Sequence, residues 1–246
     1  MDSERRTVDS ARSTMNDDLK NRILFEDNHL FVVNKLPSEI VQGDITGDVP
    51  LLDVCKAYIK DVYDKPGNVF LGLVHRIDRP TSGAVIFAKT SKALSRLNEQ
   101  IRNKQIRKTY WAIVKQKPQN DAGHLMHYLI KNEQKNKSSA YDDEKKGCKK
   151  AELKYQVLMT SNGYHLLEVD LITGRHHQIR AQLSKIGCPI KGDLKYGFDK
   201  PNDDKSISLH ARYLRFKHPV TKEDITIAAD PKPDPLWDFF LKNAPA

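Results

Sequence analysis

The 246-residue chain has no apolar run long enough to cross a bilayer. Its N-terminus, MDSERRTVDSARSTMNDD, has no hydrophobic stretch of the kind a secretory signal needs. A soluble, cytoplasmic protein without membrane contact is expected. Cysteine is scarce: Cys55, Cys148 and Cys188 are odd in number and far apart, which excludes a disulfide framework and a Cys-x-x-Cys metal site. No GxxxxGK[ST] or GxGxxG follows a strand, so the glycines at 174, 187, 192 and 197 read as turn formers, not as a phosphate loop. Neither His124 with His127, nor His165 with His176 and His177, has the cysteine or carboxylate set that would complete a zinc site. No metal and no cofactor are expected, and no internal repeat is present.

Positive charge is abundant. Lys and Arg number 41 against 32 Asp and Glu, a net charge of +9, so the summed field attracts polyanions and nucleic acid is the leading partner. A basic but otherwise ordinary surface would give the same count.

Residues 1–20 are polar and mixed in charge and are expected to be a disordered tail. Residues 21–246 are expected to form one domain and to act as a monomer. Two short strands lie in RILFEDNHLFVVNK. A helix follows from Pro50, with Leu51, Val54, Tyr58, Ile59 and Val62 at helical spacing. NVFLGLVHRID and GAVIFAKT read as strands around a loop, and Ser91 reads as the cap of a helix that buries Leu94, Leu97 and Ile101. IRKTYWAIVK is a further strand. ELKYQVLMT and YHLLEVDLIT read as a hairpin about Asn162-Gly163, followed by a short helix over 177–186 that Gly187 closes. The lysine-rich segment 131–150 is read as a mobile insertion. ISLHARYLRFKHP and DITIAAD are strands, and PLWDFFLK is a C-terminal helix whose Trp237, Phe239 and Phe240 are core packing. Strands outnumber helices. The class is α+β, a mixed, largely antiparallel sheet with flanking helices.

The stretch VHRIDRPTSGAVIFAK, residues 74–89, places Asp78 between two arginines ahead of a Pro-Thr-Ser-Gly turn. If the strand stays extended to that point, Arg76 and Asp78 face one way and Arg79 the other. Nearby positive charge favours an anionic carboxylate, as a nucleophile requires. A solvated surface ion pair gives the same local pattern.

HRIDRPTSG, RKTYWAIV, LITGRHHQIRAQLSKIGCPIKGDLKYG and LHARYLRFKHP, in this order, closely resemble the signature segments of the RluA family of RNA pseudouridine synthases. The resemblance runs from about Ile23 to the C-terminus. It implies the pseudouridine synthase catalytic fold and isomerisation of specific uridines in structured ribosomal or transfer RNA. Asp78 matches the catalytic aspartate, Tyr110 the active-site tyrosine that stacks on the uracil and helps remove its proton, and Arg180 the basic partner of the aspartate. Arg76 matches the arginine that enters the RNA when the uridine is flipped out, and Leu209 an apolar residue closing the pocket. Lys35, His75, Arg175, His176 and Lys191 are candidate phosphate or loop-positioning contacts, with a structural role the alternative for each.

The chain departs from the family pattern at NKLPSEIVQGD, where Ser38 stands near the glycine of a Lys-Pro-x-Gly turn. About two dozen residues precede the first strand, so RNA capture is expected to rest on the catalytic domain's own basic surface. Two rival functions remain at this level. One is an RNA chaperone or assembly factor on the same fold; the other is a glycoside or nucleoside hydrolase, which ordinarily needs two carboxylates.

Overall fold

The computed structural model describes residues 17–245. Among them eleven strands form one sheet, in the path β1-β2-β4-β10-β5-β9-β8-β6-β7, with β3 on β4 and β11 on β10. The strands are β1 Ile23–Glu26, β2 Leu30–Lys35, β3 Gly72–Leu73, β4 Ser82–Ala88, β5 Arg107–Val114, β6 Ala122–Asn132, β7 Lys137–Tyr141, β8 Lys149–Ser161, β9 Tyr164–Leu171, β10 Leu209–Lys217 and β11 Asp224–Ala228. The helices are α1 Leu51–Val62, α2 Ser91–Arg102, α3 Gln178–Lys185 and α4 Pro235–Asn243. Only β4 and β10 pair in parallel, at His210 with Ser82 and Ala211 with Gly83. The sheet is therefore mixed and largely antiparallel, as the strand count in the sequence implied.

β4, SGAVIFA, is buried along its whole length because both faces of the sheet are covered there. On one face Val85 and Phe87 join Phe31, Val33, α1 residues Leu51, Cys55 and Ile59, and Tyr110 and Ala112 of β5. On the other, Ala84 and Ile86 pack with α2 residues Ala93 and Leu97. Trp237 and Phe240 of α4 cover Trp111 and Ile113, while Phe239 is exposed. Asn162 (φ 50°) and Gly163 (φ 74°) form the two-residue β8–β9 turn, both in the left-handed conformation that a twisted hairpin requires.

Three local expectations are corrected. The cap of α2 is Thr90, whose side chain accepts the Ala93 N–H at 3.1 Å, and Ser91 is the first helical residue. NVFLGLVHRID pairs only at Gly72 and Leu73. The next ladder donor, the N–H of Ile86, goes to His75 Nε2 at 3.2 Å, so an imidazole replaces a backbone acceptor and the chain peels off the sheet into the 74–81 loop. The lysine-rich 131–150 segment contains β7, paired with β6 from Tyr128–Tyr141 to Asn132–Lys137. Of its lysines, Lys137 lies on this edge strand, where charge protects an unpaired ladder. The tail expected over 1–20 lies outside the described residues up to 16; residues 17–20 are helical, with Leu19 fully buried in the main core.

Candidate active site

Leaving the sheet after β3 lets residues 74–78 line a cleft of about 430 Å³ together with Thr81, β5 residues Lys108 and Tyr110, the 171–180 segment and Leu209. That volume suits a nucleotide-sized ligand. Of the residues proposed from sequence, Asp78, Tyr110, Arg180, Arg76, His75, Arg175 and Leu209 all line this one cleft. Lys35 does not.

Arg180, on α3, is 102 residues from Asp78 in sequence, yet its Nη1 donates to Asp78 Oδ2 at 3.2 Å. Its Nε and Nη2 donate to Asp193 Oδ2 and Oδ1 at 2.7 and 2.8 Å. Asp193 is 1% exposed and the Asp78 side chain 27%, so the bidentate pair is structural and the carboxylate left in contact with the cleft is Asp78. The local sequence pattern had offered Arg76 and Arg79 as the flanking cations. Arg79 instead turns away to Asp48 at 2.5 Å, and Arg76 stays exposed in the cleft lining.

His177 begins α3 in the left-handed conformation, φ 51°. Tyr196 Oη accepts the Ser138 N–H at 2.8 Å and lies 3.0 Å from His177 Nδ1. Burial, then Arg180, pushes His177 down to about 2. The ring is neutral, the Tyr196 hydroxyl donates to Nδ1, and the remaining proton sits on Nε2, 3.7 Å from Asp78 Oδ2. His176 stacks on His177 with centroids 3.7 Å apart and is held by Ser138 and Asn136.

Tyr110 is buried at the floor of the cleft, paired across the sheet with Ala211. Burial and the Asp78 charge raise its hydroxyl pKa far above the ordinary tyrosine value. In the free protein it is a phenol, a flat stacking face with a proton to donate. Leu209, two residues earlier on β10, is 4% exposed and adds apolar surface.

Lys35, a candidate phosphate or loop-positioning contact, is placed outside the cleft as a loop anchor. Its side chain is fully buried, and Nζ donates to the carbonyls of Leu36, Glu39 and Arg79 at 2.8, 2.8 and 3.0 Å. Burial draws its pKa down to about 7. Ser38, near the position where the family resemblance leads one to expect glycine, takes φ 70°, and its N–H also donates to Arg79 O at 2.9 Å. Two donors thus fix the carbonyl of the residue after Asp78. Lys191 bonds Asn202 outside the cleft, and Arg175 uses Nε on Lys150 O at 3.0 Å.

Gly83, the end of the Thr-Ser-Gly turn, has φ 117°, and a Cβ there would overlap the backbone of Ala211. Beside it Ser82 Oγ donates to His210 Nδ1 at 2.8 Å, and His210 Nε2 donates to Ala229 O at 2.9 Å. Burial takes His210 down to about 4, which keeps it in this neutral form. The turn after Asp78 is therefore locked onto β10. Asp193, Tyr196, Lys108 and the Ser82–His210 pair were not singled out from sequence, and His177 was weighed there only as a zinc ligand and set aside. The first two stand in GDLKYG, where a glycine-flanked turn hid two side chains that reach back to α3. Among the described residues no cluster of three His, Cys, Asp or Glu side chains is placed to hold a metal.

The RNA pseudouridylate synthase family profile matches residues 29–185. The chain belongs to that family. It is 36% identical over 218 residues to ribosomal large subunit pseudouridine synthase C of Buchnera aphidicola, covering 86% of this chain and 67% of that protein. Against the protein of the same name from Haemophilus influenzae it is 34% identical, covering 86% and 65%. The chain thus spans about two thirds of the length of these curated relatives. Human RNA pseudouridylate synthase domain containing 4 superposes with a TM-score of 0.77 at 24% identity, covering 94% of this chain and 96% of that one, which places the fold.

Proposed function

We propose that the protein isomerises specific uridines to pseudouridine in structured RNA, with Asp78 as the catalytic carboxylate, acting as a cytoplasmic monomer without a cofactor. The names of its curated relatives favour ribosomal over transfer RNA as the substrate. The observation that carries the reading is a single carboxylate, Asp78, held by Arg180 at the wall of a cleft whose floor is Tyr110.

The chemistry balances without an external reagent. The N1–C1′ bond breaks, C5–C1′ forms, the proton on C5 leaves and N1 gains one. Asp78 supplies the attacking or proton-abstracting oxygen. Tyr110 stacks on the uracil, and its hydroxyl accepts the C5 proton only after passing its own to another group. Loss of the negative charge on Asp78 in a covalent adduct would bring the phenol closer to doing so, because that charge is part of what raises its pKa. Arg76, exposed at the cleft, is positioned to fill the space left by a flipped base.

Turnover of RNA labelled with tritium at uracil C5 tests the reading, since each isomerisation releases one label. Wild type should release label and Asp78→Asn should not. Free uracil in place of pseudouridine would identify a hydrolase instead.

A further inference from the structure

Among the cations lining the cleft that the chemistry above leaves unused, Lys108 is the one partly withdrawn from water. It lies on β5 two residues before Tyr110, so both side chains leave the same face of the strand, about 7 Å apart along it. It is partly buried, and among the described residues its ammonium makes no hydrogen bond or ion pair. Arg180, by contrast, is neutralised by Asp193 and Asp78, and Arg76, Lys104 and Arg175 are exposed to water. Holding an ammonium out of water with no counter-ion is costly, and burial accordingly lowers the pKa of Lys108.

His75 lines the same cleft and lies near enough to Lys108 for the ammonium to depress its titration further, after burial itself. Its Nε2 accepts from Ile86, so the proton of the neutral ring is on Nδ1. That Nδ1 is buried and has no partner. Two groups that can only donate, one of them charged, thus lack acceptors within the chain.

We propose that Lys108 forms a phosphate seat, its ammonium binding the phosphate of the nucleotide whose base stacks on Tyr110, and that the buried His75 ring senses the charge that arrives there. The strand spacing between Lys108 and Tyr110 matches the reach from a nucleobase to its own phosphate. The seat deepens the proposed function by assigning what holds the flipped nucleotide at its sugar-phosphate end, and it rests on that reading for the base on Tyr110.

The test titrates wild type, Lys108→Met and Lys108→Arg with uridine, uridine 5′-monophosphate and uridine 3′-monophosphate, reading affinity by calorimetry and the His75 imidazole by nitrogen NMR. In wild type one monophosphate should bind at least about tenfold more tightly than uridine, the size expected of one charge-assisted contact, and should shift the His75 Nδ1–H resonance. Lys108→Met, which removes the buried charge and should fold at least as well, should lose both effects; Lys108→Arg should keep the affinity preference. Monophosphates that bind wild type no better than uridine, or a preference that survives in Lys108→Met, would overturn the seat. Neither result depends on turnover, so loss of the seat and loss of the isomerase reading are read separately.

Discussion

Arg180 reaches Asp78 with a single nitrogen because its other two contacts are fixed by Asp193, which is itself almost completely buried. The guanidinium is oriented from behind, and the carboxylate proposed as catalytic meets a cation whose plane is already set.

Asp193→Ala should leave Arg180 buried with only the part-exposed Asp78 as counter-charge, a loss of about 3–5 kcal/mol in chemical denaturation. Asp193→Asn keeps the shape and one acceptor. It should fold and lose about tenfold or more in kcat through misorientation of Arg180, with a smaller change in KM. Undiminished kcat in a folded Asp193→Asn protein would show that the orientation does not matter.

The tautomer of His177 is a second consequence of geometry. Nitrogen NMR of the wild type should find the proton on Nε2, toward Asp78, at neutral pH. Tyr196→Phe removes the donor to Nδ1 and the acceptor of the Ser138 N–H. It should cost about 1 kcal/mol and leave a mixture of tautomers.

Acid should weaken the fold before most carboxylates titrate. His210 and His177 are neutral in the folded chain, with pKa values of about 4 and about 2, against about 6.5 when unfolded. The unfolded chain therefore binds more protons below about 6.5, and the stability present above that pH is lost as pH falls. Urea denaturation should show a decline on the order of 2 kcal/mol per pH unit between about pH 6 and 5. Lys35, at about 7 in the fold, has the same sign in a higher window: stability should rise between about pH 7 and 10. A flat profile from pH 7 to 5 would contradict the buried, neutral histidines.

Much of this was legible from residues, and the misses have physical causes. Strand pairs with alternating or continuous apolar runs, the Asn162-Gly163 turn and the Asp234-Pro235 start of the last helix are local signals. The cleft is not local. Asp78, Tyr110 and Arg180 were found through a family resemblance, whereas Asp193 was passed over because nothing in GDLKYG announces a side chain that folds back on α3. Lys35 was left between a phosphate contact and a structural role; the three carbonyls around it, contributed by separate turns, are what make it an anchor.

The two turns that hold the catalytic loop should respond oppositely to one carbon. Ser38→Gly relieves a left-handed serine at φ 70° and should add up to about 1 kcal/mol. Gly83→Ala drives a methyl into Ala211 at φ 117° and should cost more than about 3 kcal/mol, or prevent folding. Thermal denaturation of the two variants side by side measures both.

The experiment to run first is pseudouridine mapping of ribosomal and transfer RNA from cells lacking the gene, complemented by wild type or by Asp78→Asn. One or a few uridines should be modified only with the wild-type gene, and their positions would name the substrate. Modification restored equally by Asp78→Asn would contradict the assignment of Asp78 as the catalytic carboxylate.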